Sequence, residues 1–222
     1  MASGIVFDLD GTLVDSAGDL QTALNHVLRE CGLPSLDLAS VKLMIGDGVA
    51  KLVERAFIAT GGDLTALNAA TARFLELYEG HATERTIAYP GVHDTLSALL
   101  DAGLTMGVVT NKPYAATMEI LETLALSRFF VTVVGGDSAP RRKPHPDPIL
   151  KALAEARLRP AQTIMVGDNY HDVEAAHAAG LSAIMVTYGY SHKPPASVGA
   201  DYLVDEMPAI IPILHQRGML SG

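Results

Sequence analysis

Six short apolar stretches, at 5–8, 106–110, 131–134, 164–166, 183–186 and 202–204, restrict what this chain can fold into more than any other feature. Most are unbroken rather than alternating, as parallel strands are when both faces of their sheet are covered. Between the later ones, apolar residues recur at helical spacing over roughly 92–102, 115–125, 147–156 and 171–179. Gly103 and Gly180 follow two of these segments, where a glycine can end a helix in the left-handed conformation. Alternating strands and helices predict an α/β fold, a doubly wound and mainly parallel sheet of Rossmann-like type.

One interval breaks the rhythm. Later strands start about 20–35 residues apart, whereas almost a hundred residues separate the first two. Helical periodicity runs through 17–82: in Leu20, Leu24, Val27 and Leu28, then Val49, Leu52, Val53 and Ala56, then Leu67, Ala70, Phe74 and Leu77. It is interrupted at Gly32-Leu33-Pro34, Gly46-Asp47-Gly48 and Gly61-Gly62. The pattern predicts an all-helical cap domain over 15–83, serving as a lid and inserted into a core domain made of 1–14 and 84–222. A plain extra helical layer would have the same periodicity. Asp15-Ser16 is placed to cap the first of these helices.

With 49% hydrophobic residues in 222, a large core can form. The formal net charge of −9 argues against a nucleic-acid partner, and three cations in a row at Arg141-Arg142-Lys143 make a poor groove. No apolar run approaches the ~18 residues that cross a bilayer, so no membrane partner is expected. The Met-Ala-Ser-Gly start lacks the basic and apolar regions of a signal peptide, which predicts a cytoplasmic protein. The lone Cys31 can form no internal disulfide and is expected as a small buried hydrophobe. Eight histidines are scattered singly, without the spacing of a zinc site. A monomer and a homodimer are equally compatible with the sequence.

Open parallel sheets bind ligands beyond the carboxyl ends of their strands, so the residues there belong together. The first strand runs into Asp8-Leu9-Asp10-Gly11-Thr12. Carboxylates at the end of a buried strand lose hydration and need compensation. The first basic residue is Arg29, so a metal ion is the simplest partner, although an Asp10-Gly11 turn that caps the next helix would need none. The second strand ends in Thr110-Asn111-Lys112, and the third is followed by Lys143-Pro144-His145-Pro146. The fourth runs into Gly167-Asp168-Asn169-Tyr170-His171-Asp172. Each alone could be a helix cap or a solvated loop; on one sheet edge they form a set.

That set, Asp8-x-Asp10-Gly11-Thr12, Thr110-Asn111, Lys143-Pro144 and Gly167-Asp168-x-x-x-Asp172, resembles the haloacid dehalogenase superfamily of phosphotransferases over essentially the whole chain. The helical insertion is similar to that superfamily's C1-type cap. Ile45-Gly46-Asp47-Gly48, Tyr89-Pro90-Gly91-Val92, Val109 to Pro113, Gly135-Gly136-Asp137 and Lys143 to Pro148 resemble its bacterial phosphoglycolate phosphatases. The resemblance implies Mg²⁺-dependent hydrolysis of a small phosphorylated metabolite, 2-phosphoglycolate before others, through an aspartyl-phosphate on Asp8. Hydrolysis of another sugar phosphate, a β-phosphoglucomutase-like isomerisation and a non-catalytic phospho-ligand sensor are the alternatives. It also implies metal ligation by the Asp8 carboxylate, the Asp10 carbonyl and Asp168, with Asp172 behind them. Thr110, Asn111 and Lys143 would bind the phosphoryl group, and Asp10 would act as acid and then as base. Asn169 stands where Ser or Thr is more frequent. Gly46-Asp47-Gly48 opens a helix whose free amides could hold a small carboxylate, or simply starts it flexibly. Lys51 and Arg55 are cap-side cations at spacings that suit a solvated face equally well.

Overall fold

The structure, a computed structural model, describes residues 3–220, so Met1 and Ala2 of the start read above lie outside the described residues. In chain order the strands are β1 (Gly4–Phe7), β2 (Val14–Asp15), β3 (Ile87–Ala88), β4 (Thr105–Val109), β5 (Thr132–Val134), β6 (Thr163–Gly167), β7 (Ser182–Val186) and β8 (Tyr202–Val204). The helices are α1 (Ala17–Glu30), α2 (Leu38–Lys42), α3 (Val49–Thr60), α4 (Leu67–Tyr78), α5 (Val92–Asp101), α6 (Tyr114–Thr123), α7 (Asp147–Ala156), α8 (Tyr170–Ala178) and α9 (Ile210–Gln216).

All six expected strands join one parallel sheet in the order β5-β4-β1-β6-β7-β8. Successive side chains on a strand face opposite ways, and here both faces are covered. Ile5 and Phe7 share one core with Met106, Val108, Ile164 and Val166, covered by Leu96, Leu99, Ile120, Leu121, Ile210 and Leu214 of α5, α6 and α9. Val6 shares the other with Val109, Met165 and Ala183, covered by α7 and α8 through Ile149, Leu153, Val173 and Ala176. This two-sided burial is why the apolar runs are unbroken. Gly103 and Gly180 stop α5 and α8 at φ of +80° and +79°, in the left-handed region. β1 lies between β4 and β6, so the chain departs to either side of it, and the crevice at this switch point opens above the carboxyl ends of all three.

The insertion holds four helices rather than the three periodic segments of the sequence. The extra one, α2, spans five residues and buries only Val41, too little for a pattern. The other three turn Leu20, Leu24 and Val27, Leu52 and Val53, and Phe74 and Tyr78 inward. Apolar packing continues from the sheet through Leu9, Leu13, Val14 and Ala17 into these helices. The two chain crossings lie side by side as an antiparallel ribbon, Val14 opposite Ala88 and Asp15 opposite Ile87. Strands of two residues leave no periodicity to read.

Two local expectations are corrected. Ser16 occupies the N-cap position of α1, but its hydroxyl donates to Asp10. Asp15 Oδ1 does accept the first α1 amide, that of Ala17, at 3.3 Å, but the amides of Ser16 and Ala17 also donate to the Tyr190 hydroxyl at 2.9 and 3.2 Å, which in turn donates to Asp15 at 2.6 Å. Cys31 is exposed rather than buried, because it follows the last inward turn of α1 at Val27 and Leu28. Among the described residues no helix is long and apolar enough to cross a membrane.

Candidate active site

Asp8 leaves the end of β1, and the chain folds into a tight turn in which the Leu9 carbonyl accepts the amides of Thr12, Leu13 and Val14. Gly11 makes the turn possible: its φ is +85°, and a Cβ there would lie 2.4 Å from Asp168 Oδ2. β4 delivers Thr110, Asn111 and Lys112. The loop after β5 returns Lys143, whose peptide bond to Pro144 is cis. β6 ends at Gly167, where a Cβ would meet the Asp172 side chain at 2.3 Å, and so Asp168 and Asp172 can close on one point. Asn169 and Asp172 form a reciprocal capping box at the start of α8. This is what the unusual Asn169 does.

Oxygens of Asp8, Asp168 and Asp172 lie within 4.8 Å of one another, all buried. Lys143 Nζ stands 2.6 Å from Asp172 Oδ1 and 3.0 Å from Asp8 Oδ1, and donates to the Val109 carbonyl at 2.6 Å. Asp8 Oδ1 also accepts the Leu9 amide at 2.7 Å. Asp172 Oδ2 accepts the amides of Asp168 and Asn169, so both its oxygens are engaged by protein donors. Asp168 is oriented by the Thr12 hydroxyl at 3.1 Å and the Tyr190 amide at 2.7 Å. Asp10 faces Lys112 Nζ at 3.1 and 3.2 Å, and the same ammonium donates to the Tyr78 hydroxyl of α4 at 2.8 Å.

Burial dominates the electrostatics. It pushes Asp8 up to about 6 despite the opposing charge of Lys143, with Asp172 adding to the rise. Asp168 goes well above the ordinary carboxylate value through burial and then the charges of Asp172 and Asp8. Burial works to lower both lysines, but their carboxylates prevail: Asp172 and Asp8 raise Lys143, and Asp10 with Tyr78 raises Lys112. Four carboxylates share this pocket with two ammonium groups, and with all four ionised two negative charges are left unmatched among hard oxygen donors. A divalent cation of the Mg²⁺ class fits that donor set.

The structure brings Asp8, Asp10, Thr110, Asn111, Lys143, Asp168 and Asp172 to one pocket. The Asn111 amide group is turned away from its centre: its Nδ2 donates to the carbonyls of Gly46 and Lys143, at 2.9 and 3.0 Å, and its Oδ1 accepts the Lys143 amide at 3.0 Å. It ties the loop before α3 to the sheet. On the same loop, Asp47 bonds His171 and Arg55; burial would raise this carboxyl, but those two partners bring it down to about 2. Arg55 thus serves the loop, while Lys51 pairs with Glu54 at the surface.

No cation is near the first carboxylates in sequence, but distant segments supply two: Lys143 stands against Asp8, as the resemblance implied, and Lys112 against Asp10. Lys112, Tyr78 and Tyr190 were not among the expected site residues. An Asn-Lys-Pro stretch after a strand reads equally as a solvated turn, and Tyr78 reads as one more core position of an amphipathic helix. Only the position of Lys112 next to Thr110-Asn111 hinted at its part.

Comparison with known proteins gives a consistent result. The profile of the haloacid dehalogenase-like hydrolases matches residues 5–186. The phosphoglycolate phosphatase of Rhodospirillum rubrum is 42% identical over 216 residues, 95% of this chain and 90% of its own length. That of Pseudomonas putida is 39% identical, over 94% of this chain and 78% of its own length. The crystal structure of a predicted phosphoglycolate phosphatase from Haemophilus somnus superposes with a TM-score of 0.90 at 34% identity, covering 96% of this chain and 97% of the other.

Proposed function

Because the chain belongs to the haloacid dehalogenase-like hydrolases, we propose that it hydrolyses a small phosphomonoester, 2-phosphoglycolate in the first place, at the pocket above β1, β4 and β6. The observation that carries the reading is the joint placement of Asp8, Asp10 and Asp168 with Lys143 on one sheet edge, together with relatives named phosphoglycolate phosphatase. Residues 15–83 act as the cap that closes this pocket, entering and leaving through the β2–β3 ribbon.

In this reading Asp8 is the nucleophile. Its Oδ1 is held by Leu9 and Lys143, and among the described residues Oδ2 has no protein donor, so it is the oxygen that forms the new bond to phosphorus. As that bond forms, the ester P–O bond breaks, and its electron pair goes to the leaving oxygen, which takes a proton from Asp10. In the second half Asp10 accepts a proton from water, the water oxygen bonds to phosphorus, and the bond to Asp8 breaks to free phosphate. The Thr110 hydroxyl and Lys143 balance charge on the phosphoryl oxygens. Asn111 contributes to this through its main-chain amide, since its side chain is engaged elsewhere. Mg²⁺ would be held by the Asp8 carboxylate, the Asp10 carbonyl and Asp168, with Asp172 steadying Lys143 and the chain at Asp168; when bound it supplies charge neutralisation between the nucleophile and the phosphoryl group.

Phosphate release from a panel of phosphomonoesters, with Mg²⁺ present, tests the proposal. 2-Phosphoglycolate should head the panel and Asp8→Asn should abolish release. Undiminished release by that variant would remove Asp8 from its role and with it the reading.

A further inference from the structure

We infer that Lys112 selects leaving groups that bear a carboxylate, letting go of Asp10 and taking the substrate's carboxylate in its place. The inference rests on the phosphatase reading above and adds to it the group that recognises the non-phosphate end.

The side chains on the cap side of the pocket are apolar, Leu20, Ile45, Val49 and Leu52, with the main chain of Gly46 and Gly48 beside them and one hydroxyl from Tyr78, so among the described residues the insertion brings no charged side chain to the pocket. The cations carried by the cap are occupied elsewhere, Lys42 on Asp15, Lys51 on Glu54, and Arg55 on Asp47 and the Met44 carbonyl. Lys143 is committed to Asp8 and Asp172. Among the described residues, the ammonium left in the pocket for a second anionic group is that of Lys112. It is 4% exposed and rests against the face of the Tyr78 ring, 4.8 Å from its centre, as well as bonding its hydroxyl.

Its position fits the leaving group. Lys112 Nζ lies on the carboxylate of Asp10, the group that hands a proton to the leaving oxygen, so the leaving group must pass beside Nζ. In a two-carbon acid ester the carboxylate carbon is two bonds from that oxygen. Nζ has three protons, and the contacts to both Asp10 oxygens and to Tyr78 use them. A buried ammonium needs an anionic partner, so an arriving carboxylate replaces Asp10 one for one rather than adding to it. The exchange satisfies Lys112 and frees Asp10 to approach the leaving oxygen. A neutral leaving group of the same length offers nothing in exchange, and Asp10 stays clamped. The preference therefore shows in kcat as well as in KM.

The test compares 2-phosphoglycolate with 2-hydroxyethyl phosphate, which has a neutral CH₂OH in place of the carboxylate. The wild-type protein should favour the acid by about 100-fold in kcat/KM, the scale expected for a buried hydrogen-bonded charge pair. Lys112→Met should bring the ratio to near one, by loss on the acid together with a gain on the neutral ester, for which Asp10 is no longer clamped. Tyr78→Phe, which removes one oxygen and is safe for folding, should lower the ratio about threefold. A wild-type ratio near one, or either variant slowing both esters in parallel, would overturn the assignment. Binding of the two esters to Asp8→Asn, with and without Lys112→Met, measures the same preference by calorimetry without turnover. Discrimination in binding with no phosphate released by the wild type would defeat the phosphatase reading and support Lys112; release without discrimination would defeat Lys112 alone.

Discussion

Asp10 does two things through different atoms. Its side chain meets Lys112 and Ser16, whereas the proposed contact to a metal uses its main-chain carbonyl. Replacing the carboxylate with its amide keeps shape and backbone but removes the proposed proton carrier. Asp10→Asn should therefore lower kcat about 100-fold or more while the Mg²⁺ concentration for half-maximal activity changes little. Steady-state kinetics across a metal titration checks this, and a large rise in that concentration with retained turnover would reverse the division of labour. At this scale the four acidic residues were readable, because Asp8-x-Asp10 and Asp168-x-x-x-Asp172 are short local spacings on a strand end and a helix start. Lys112 was not, since nothing in its immediate sequence distinguishes an ammonium under a cap from one in water.

The loop 45–48 and the start of α8 are the elements that join cap to sheet at the pocket. Asn111 bonds the Gly46 carbonyl, and Asp47 reaches His171 at the first turn of α8. Asp47 is held down to about 2, so at neutral pH it faces His171 and Arg55 as a full anion. Asp47→Asn removes that charge from a half-buried contact and should raise KM several-fold with a smaller change in kcat, as the closed position loses support of about 1–3 kcal/mol. Faster amide hydrogen exchange over 44–55 in the variant is the accompanying observation; unchanged exchange and KM would mean that the contact does not hold the cap. The glycine stops of α5 and α8 and the inward stripes of α1, α3 and α4 were legible because they are periodic. The short α2 and the two-residue ribbon were not, being shorter than any period.

Over the whole molecule, the acidic pocket links metal, protons and stability. Without metal, Asp8 is raised to about 6 and Asp168 also lies well above its ordinary value, so the folded state binds protons more tightly than the unfolded chain. Stability of the metal-free protein should then fall as pH rises from about 4 through 6, the window between the unfolded and folded values of Asp8. A divalent cation held by these carboxylates would reverse this, by competing with those protons and binding the folded state alone. The increase in Tm on replacing EDTA with Mg²⁺ should be larger at pH 8 than at pH 5; an increase that is equal at both would separate the metal from these carboxylates. The order of unbroken apolar runs, the helical stripes between them and the acidic spacings at their ends determined the doubly wound sheet, the helical insertion and the acidic edge from sequence alone, since each is a pattern of near neighbours. The pairing of Lys112 with Asp10 and Tyr78, of Lys143 with Asp8 and Asp172, and of Tyr190 with the start of α1 was decided only by the tertiary structure. Each joins residues tens to more than a hundred positions apart, and the burial that gives these charges their strength exists only once the sheet and the cap have closed over them.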